Sequence, residues 1–168
     1  MATYPAAVLI RGFDEGDWPA VRTIVEEVVR AGDTFPYDPA WPDAVLREVW
    51  LEAAPGRTVV AVDGDRVLGT AKMGRNRPGP GRHVATASFM VATDARGRGV
   101  GRALATHALA WAREQGYAAM QFNAVVEGNE AAVGLYRRLG FAVVGTVPEA
   151  FDHPTRGRVG LHVMHRFL

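Results

Sequence analysis

An α/β fold is what this sequence predicts, and two observations predict it. Short β-branched runs alternate with stretches whose apolar residues recur at helical spacing, most regularly in the second half of the chain. The 168 residues also carry no internal repeat, low-complexity segment or composition break. A single domain over 1–168 follows, because a chain of this length buries enough apolar surface for one core.

Taken in order, the run Ala7-Val8-Leu9-Ile10 reads as a buried strand. Asp17 then serves as an N-cap, Pro19 sits in a first turn, and Val21, Ile24, Val25 and Val28 form the apolar stripe of a helix that Gly32 ends. The proline- and aromatic-rich stretch Asp33-Thr34-Phe35-Pro36-Tyr37-Asp38-Pro39 predicts a loop, and Leu46, Val49, Trp50 and Ala53 a second helix. Two β-branched runs, Thr58 to Val62 and Val67 to Ala71, flank Asp63-Gly64-Asp65, the chemistry of a tight antiparallel hairpin. A loop with Arg75, Arg77 and Pro78-Gly79-Pro80-Gly81 leads into a strand from about Ala85 to Val91. After Asp94 to Gly99, the residues Val100, Ala103, Leu104, Ala108 and Trp111 define a third helix, closed near Gly116. A strand at Met120 to Asn123, a helix opened by Asn129, and strands at Phe141 to Val144 and Val159 to Val163 complete the pattern.

Composition narrows the function. The 48% hydrophobic and 22% charged content suits a soluble globular protein, and no apolar run approaches the ~20 residues of a membrane span. Met1-Ala2-Thr3-Tyr4-Pro5 brings no basic segment before an apolar run, so Ala6 to Ile10 reads as strand rather than signal peptide, and a cytoplasmic location is expected. With no cysteine, disulfides, thiolate zinc sites and a cysteine nucleophile are excluded. His83, His107, His162 and His165 lack metal-ligand spacing, so no metal is expected. A net charge of +1 offers no general attraction for nucleic acid; an anionic ligand needs a local cluster of positive groups.

That cluster is Arg96-Gly97-Arg98-Gly99-Val100-Gly101-Arg102, a glycine-rich turn between a strand and a helix. It aims unobstructed N–H groups and the positive end of a helix dipole at one place, a setting for a diphosphate. Taken alone, the same residues equally describe a tight turn with solvated arginines. The P-loop ending Gly-Lys-Ser/Thr is absent, and the dinucleotide fingerprint fails at both Gly97 and Gly99, where Arg102 and Leu104 occupy its last position.

The turn, following the strand that ends Ser88-Phe89-Met90-Val91, resembles the Arg/Gln-x-x-Gly-x-Gly/Ala signature of the GNAT superfamily. The segment Asn129-Glu130-Ala131-Ala132-Val133-Gly134-Leu135-Tyr136-Arg137-Arg138-Leu139-Gly140-Phe141 resembles its second signature, an Asn-led helix carrying Leu-Tyr and closing on Gly-Phe. Together the two cover about the second half of the chain. The resemblance implies a single mixed, mostly antiparallel central sheet of about six to seven strands flanked by about four helices. It implies an acetyl-CoA-dependent N-acetyltransferase moving an acetyl group directly to the amine of a small molecule. The pyrophosphate of coenzyme A would lie on Arg96, Gly97, Arg98, Gly99, Val100, Gly101 and Arg102. Its pantetheine would run beside the backbone of Met90 and Val91, with Asn129 and Ala132 completing the cofactor set.

By the same resemblance Tyr136 is the acid that protonates the departing thiolate, a phenol with an ordinary pKa of ~10 being protonated at neutral pH. Ala132, Leu135, Tyr136 and Leu139 also form an apolar stripe, which leaves a core tyrosine as the alternative, and Asn129 equally describes an N-cap. Asn123 stands where some relatives carry a carboxylate; an amide is no general base, but it can orient the substrate. Glu127, Glu149, Asp152 and His153, expected in loops flanking the last elements, could act directly or through water, and none is assigned.

Ser88 to Val91, Phe122-Asn123 and Pro148 to Pro154 are similar to a subgroup that acetylates proline analogues such as azetidine carboxylate. That implies a small amino acid or secondary amine, with Phe35, Tyr37, Phe89 and Phe151 as pocket walls beside Asn123; these aromatics equally suit a core. The alternatives are a protein or peptide N-terminal acetyltransferase and a non-catalytic acyl-CoA-binding sensor. Relatives often pair through sheet edges or terminal strands, which implies a homodimer through Val159 to Phe167.

Overall fold

The computed structural model describes residues 8–168. Among them, seven strands form one sheet in the order β1-β2-β3-β4-β5-β7-β6. The strands are β1 (Leu9–Gly12), β2 (Arg57–Asp63), β3 (Arg66–Arg75), β4 (Val84–Val91), β5 (Ala119–Val126), β6 (Ala142–His153) and β7 (Gly157–Phe167). The α-helices are α1 (Trp18–Ala31), α2 (Asp43–Trp50), α3 (Val100–Glu114) and α4 (Glu130–Arg138). Every neighbouring pair of strands is antiparallel except β4 and β5, so the sheet is mixed and mostly antiparallel. The first predicted strand begins in the structure at Leu9; Ala7 and the amino-terminal segment before it lie outside the described residues.

Asp17 does precede α1, but its carboxylate does not cap the helix. Arg11 of β1 donates to both of its oxygens at 2.7 and 2.8 Å, and the Asp14 N–H donates to it at 2.8 Å. The side chain thus ties β1 to the start of α1 by charge-assisted bonds. At the other end Gly32 adopts φ 67°, and its N–H bonds back to Val28. α2 stops at Trp50, short of the Ala53 that the sequence pattern included. The Thr58 hydroxyl explains this: it donates to the Trp50 carbonyl and accepts from the Glu52 N–H, drawing the chain out of the helix toward β2.

Alternation along β3 sorts the helices onto two faces. The Thr70 hydroxyl accepts from the indole N–H of Trp50 in α2 at 3.0 Å, while a Cβ on Gly69 would point into Val100 and Leu104 of α3. α2 and α3 therefore cover opposite faces of the sheet. Trp50, Leu68, Met73, Met90, Leu104, Met120 and Met164 are among the fully buried side chains, and one core cluster runs from Trp18 to Met164. The last hairpin is longer than the pattern indicated. Glu149, Asp152 and His153, expected in loops, belong to β6, which departs from regular register between Val147 and Phe151 and holds Glu149 at φ 50°. Three successive residues of such a bulge look like a turn when only local composition is read.

Candidate active site

β4 and β5 run side by side only at Val84 opposite Ala119 and Ala85 opposite Met120; beyond these pairs they splay apart. β4 stays paired with β3 up to Val91, so its far edge from about residue 86 onward has no strand beside it among the described residues. A cavity of about 680 Å³ fills this opening.

Which backbone groups face the cavity follows from strand alternation. Ala92 donates to the Leu68 carbonyl and the Val84 carbonyl accepts from Asn76, so even-numbered residues of β4 turn their peptide groups toward β3. The odd-numbered ones face the other way, as the His83 carbonyl, which accepts from Ala118 beside β5, also indicates. The expectation for the backbone of Met90 is therefore corrected: its peptide group pairs with β3, and Phe89 and Val91 present theirs to the cleft. A one-residue difference reverses the direction of every peptide group, and sequence alone carries no mark of that register.

At the far end of β4 the glycine turn borders the cavity through Arg96, Gly97, Gly99, Val100, Gly101 and Arg102. Gly97 and Gly99 adopt φ 75° and 81°, a left-handed conformation that glycine alone takes without strain, and a Cβ on either would meet nothing within 4 Å. Their role is thus backbone shape, and the space beside them is open. The first-turn N–H groups of α3 have no acceptor within the helix and sit at the positive end of its dipole. Arg98 is turned away to Asp63, 3.3 Å distant, and does not line the cavity. Arg138 of α4, which sequence reasoning passed over, does line it. An open anion cradle joined to an unpaired strand edge fits the diphosphate and the amide-bearing arm of coenzyme A. Arg96, Gly97, Gly99, Gly101 and Arg102 would hold the first, and the Phe89 and Val91 backbone the second.

Asn129 caps α4, its Oδ1 accepting the Ala132 N–H at 3.3 Å, and both residues also line the cavity. One turn further on, the ring of Tyr136 packs against Phe122 with centroids 4.5 Å apart, and against Phe89 and Phe141 at 6.1 Å. Burial pushes its phenol above the ordinary value of 10.0, so the proton stays on Oη throughout the physiological range. Tyr136 is thus both a packed aromatic and a wall of the cavity, the two readings its sequence position allowed.

The opposite wall comes from the α1–α2 loop, with Asp33, Thr34, Phe35, Pro36 and Tyr37. Phe35 packs between Tyr37 (centroids 5.3 Å apart, tilted) and Trp50 (6.1 Å, edge to face), which fixes the loop on the α2 face. Burial, with Glu52 nearby, pushes the Tyr37 phenol up to about 12. Asn123 also lines the cavity; its amide donates to Asn76 at 2.6 Å and accepts from Gln121 at 2.9 Å. These bonds hold the amide in one orientation and bring the segment of Arg75 and Arg77 beside it.

Phe151 lies elsewhere. It is 6% exposed in β6, opposite Val159, and is not part of the cavity wall. Nor do Glu127, Glu149, Asp152 or His153 line it, and the Glu127 carboxylate instead accepts the Gly160 N–H at 2.9 Å. No group of three or more His, Cys, Asp or Glu able to hold a metal occurs among the described residues, and none of their helices is long and apolar enough to cross a membrane.

A splayed parallel pair with a glycine turn at its mouth suits the thioester arm and diphosphate of an acyl-CoA, the donor of an acyltransferase. Residues 22–141 match the acetyltransferase (GNAT) family model. The chain is 34% identical over 145 residues to the L-methionine sulfoximine/L-methionine sulfone acetyltransferase of Pseudomonas paraeruginosa, 83% of each protein being covered. The structure superposes on a GCN5-related N-acetyltransferase from Kribbella flavida with a TM-score of 0.95 and 56% identity, over 98% of this chain and 100% of that one. It superposes on yncA of Salmonella typhimurium, solved with its cofactor acetyl-CoA, with a TM-score of 0.82 and 25% identity, over 96% and 94%. The chain belongs to the GNAT acetyltransferase family: it is an N-acetyltransferase, and acetyl-CoA is its acyl donor.

Proposed function

We propose that this enzyme acetylates the α-amino group of a small amino acid whose side chain is short and polar at its tip, as in methionine sulfone, or closed into a ring, as in proline analogues. The observation that carries the reading is the two-sided cavity. The glycine turn and Tyr136 bound it from the α3–α4 side, and the Asp33–Tyr37 loop bounds it from the α2 side. Acetyl-CoA and acceptor then approach the cleft from opposite faces and meet between β4 and β5. Phe35, Tyr37 and Phe89 give flat apolar walls for a compact side chain, and the fixed Asn123 amide offers a hydrogen bond to the acceptor's carboxylate or amine. The relative of stated methionine sulfone specificity supports the same choice.

Within this reading bound acetyl-CoA supplies an activated acetyl thioester, and the chain's own groups do the rest. The Val91 and Phe89 peptide N–H groups orient the donor and stabilise charge on its carbonyl. Tyr136 donates a hydrogen bond to the sulfur as negative charge grows there. Because burial makes its proton hard to remove, its main contribution is this hydrogen bond.

The site is cytoplasmic in this reading, and the protein works as a homodimer. Among the described residues the sheet ends on β1 and β6, while β7, the expected contact, is paired on both sides; of the two margins the proposed contact is β6, the one that adjoins β7. Val144 and Val147, 63% and 54% exposed, lie on β6.

The test is release of free CoA from acetyl-CoA across methionine sulfone, methionine sulfoximine, azetidine carboxylate, common amino acids, polyamines and N-terminal peptides. The expected result is a kcat/KM for one of the small amino acids at least about 10-fold above any peptide or polyamine. Preference for peptides moves the acceptor to protein amino termini. Saturable acetyl-CoA binding without turnover of any amine leaves a sensor.

A further inference from the structure

The substrate amine reaches the enzyme as an ammonium ion and must lose a proton before it attacks, yet the cavity offers few groups to take one. Its wall carries the hydroxyls of Thr34, Thr86 and Ser88, the amides of Asn123 and Asn129, the cationic Arg96, Arg102 and Arg138, and two phenols that burial keeps protonated. None of these is a base at neutral pH. One carboxylate remains among the described lining residues, that of Asp33. Its position is set by the left-handed Gly32, which ends α1 and turns the chain into the α1–α2 loop. Asp33 Oδ1 is buried and has no hydrogen-bond partner among the described residues, an arrangement that costs free energy unless a ligand supplies the donor. It lies on the wall from which the acceptor enters, in the same loop as Phe35 and Tyr37.

We infer that Asp33 is the catalytic base: its carboxylate receives the acceptor's ammonium group and takes one proton from it. The inference rests on the N-acetyltransferase activity and on acceptor entry from the α2 face. Asp33 becomes a carboxylic acid and the amine becomes neutral. The new N–C bond forms as the thioester C–S bond breaks; the second N–H proton goes to the sulfur, giving free CoA. Asp33 then returns its proton to solvent. The sum is one amide, one CoA thiol and one proton released.

This assignment predicts a difference in pH profile that a packing role would not produce. The wild-type enzyme binds the ammonium form, so kcat/KM stays level from about pH 7 to 9. Asp33→Asn must wait for neutral amine from solution, so its kcat/KM is at least about 100-fold lower at pH 7 and rises tenfold per pH unit toward the amine pKa. Asp33→Glu recovers part of the loss, and acetyl-CoA affinity and melting temperature stay near wild type in both variants. A profile for Asp33→Asn parallel to wild type at every pH overturns the assignment.

A second probe, independent of which amino acid is the acceptor, is line broadening of ethylammonium chloride by the acetyl-CoA-free protein in ligand-observed NMR. Its loss in Asp33→Asn supports the role, and its persistence at wild-type strength overturns it. If the wild type acetylates no amino acid in the panel while this Asp33-dependent binding is seen, the acceptor class fails and the base stands.

Discussion

Tyr136 and Asp17 respond to their surroundings in opposite ways, and each response has a measurable consequence. Burial raises the Tyr136 phenol, so the hydroxyl is a competent donor well into alkaline pH, and no loss of kcat from its ionisation is expected up to about pH 10. Tyr136→Phe keeps the ring contacts with Phe122 and Phe89 but removes the donor. We expect kcat to fall roughly 10–100-fold with acetyl-CoA affinity within about twofold of wild type, as single-turnover kinetics and equilibrium titration will read. Asp17 is shifted downward by its hydrogen bonds to Arg11, more than burial raises it. A carboxyl whose folded pKa lies below its unfolded value of 3.8 stabilises the fold above that value and loses the contribution as pH falls through the folded one. Arg11→Met should therefore cost about 1–2 kcal/mol at pH 7, a figure reduced for the exposure of the arginine, and the gap from wild type should close below about pH 3.8 in denaturant titrations. Much of the candidate site was legible at this scale. Asn129, Ala132 and Tyr136 carry their identity in a local motif, and all three line the cavity. Asp33 was not legible, because an acidic residue in a proline-rich loop looks like any solvated turn until the fold buries one of its oxygens.

Elements transmit these residues' positions to the cleft. The turn before α3 depends on Gly99 at φ 81°, where any side chain is strained and a carboxylate would also repel the diphosphate proposed to bind there. Gly99→Glu should abolish measurable acetyl-CoA binding, and Gly99→Ala should weaken it less while lowering stability by roughly 1 kcal/mol. If both variants bind acetyl-CoA as tightly as wild type, the turn is not the phosphate site. α2 acts at a distance through Trp50, fully buried, bonded to Thr70 and packed against Phe35. Trp50→Ala is expected to cost about 3–5 kcal/mol and, by loosening the α1–α2 loop, to raise KM for the amine more than for acetyl-CoA. Calorimetry and steady-state kinetics separate the two effects. Helical spacing located α1, α3 and α4 because each presents a single apolar stripe. It overran α2, whose end is decided by the Thr58 hydroxyl from the next strand.

For the whole molecule, strand order decides both the cleft and which strands lie at the margins of the sheet. With β7 inserted between β5 and β6, the carboxyl-terminal strand is interior and β6 is left at the margin with exposed Val144 and Val147. Val147→Lys should shift the proposed dimer to monomer in light scattering while leaving the monomer's melting temperature within about 2 °C. An unchanged mass would place the contact elsewhere or remove it. The α/β class, the alternation of elements, the glycine-rich turn and the Asn-led helix were legible in the sequence, because each depends on residues within a few positions of one another. Tertiary structure alone decided that β4 and β5 part after two residue pairs, that Phe89 and Val91 rather than Met90 face the gap, that Phe151 lies outside the cavity, and that Asp33 borders it. Those facts depend on strand order, register and the packing of loops across the sheet, which are set by contacts between residues far apart in the chain and so leave no local pattern to read.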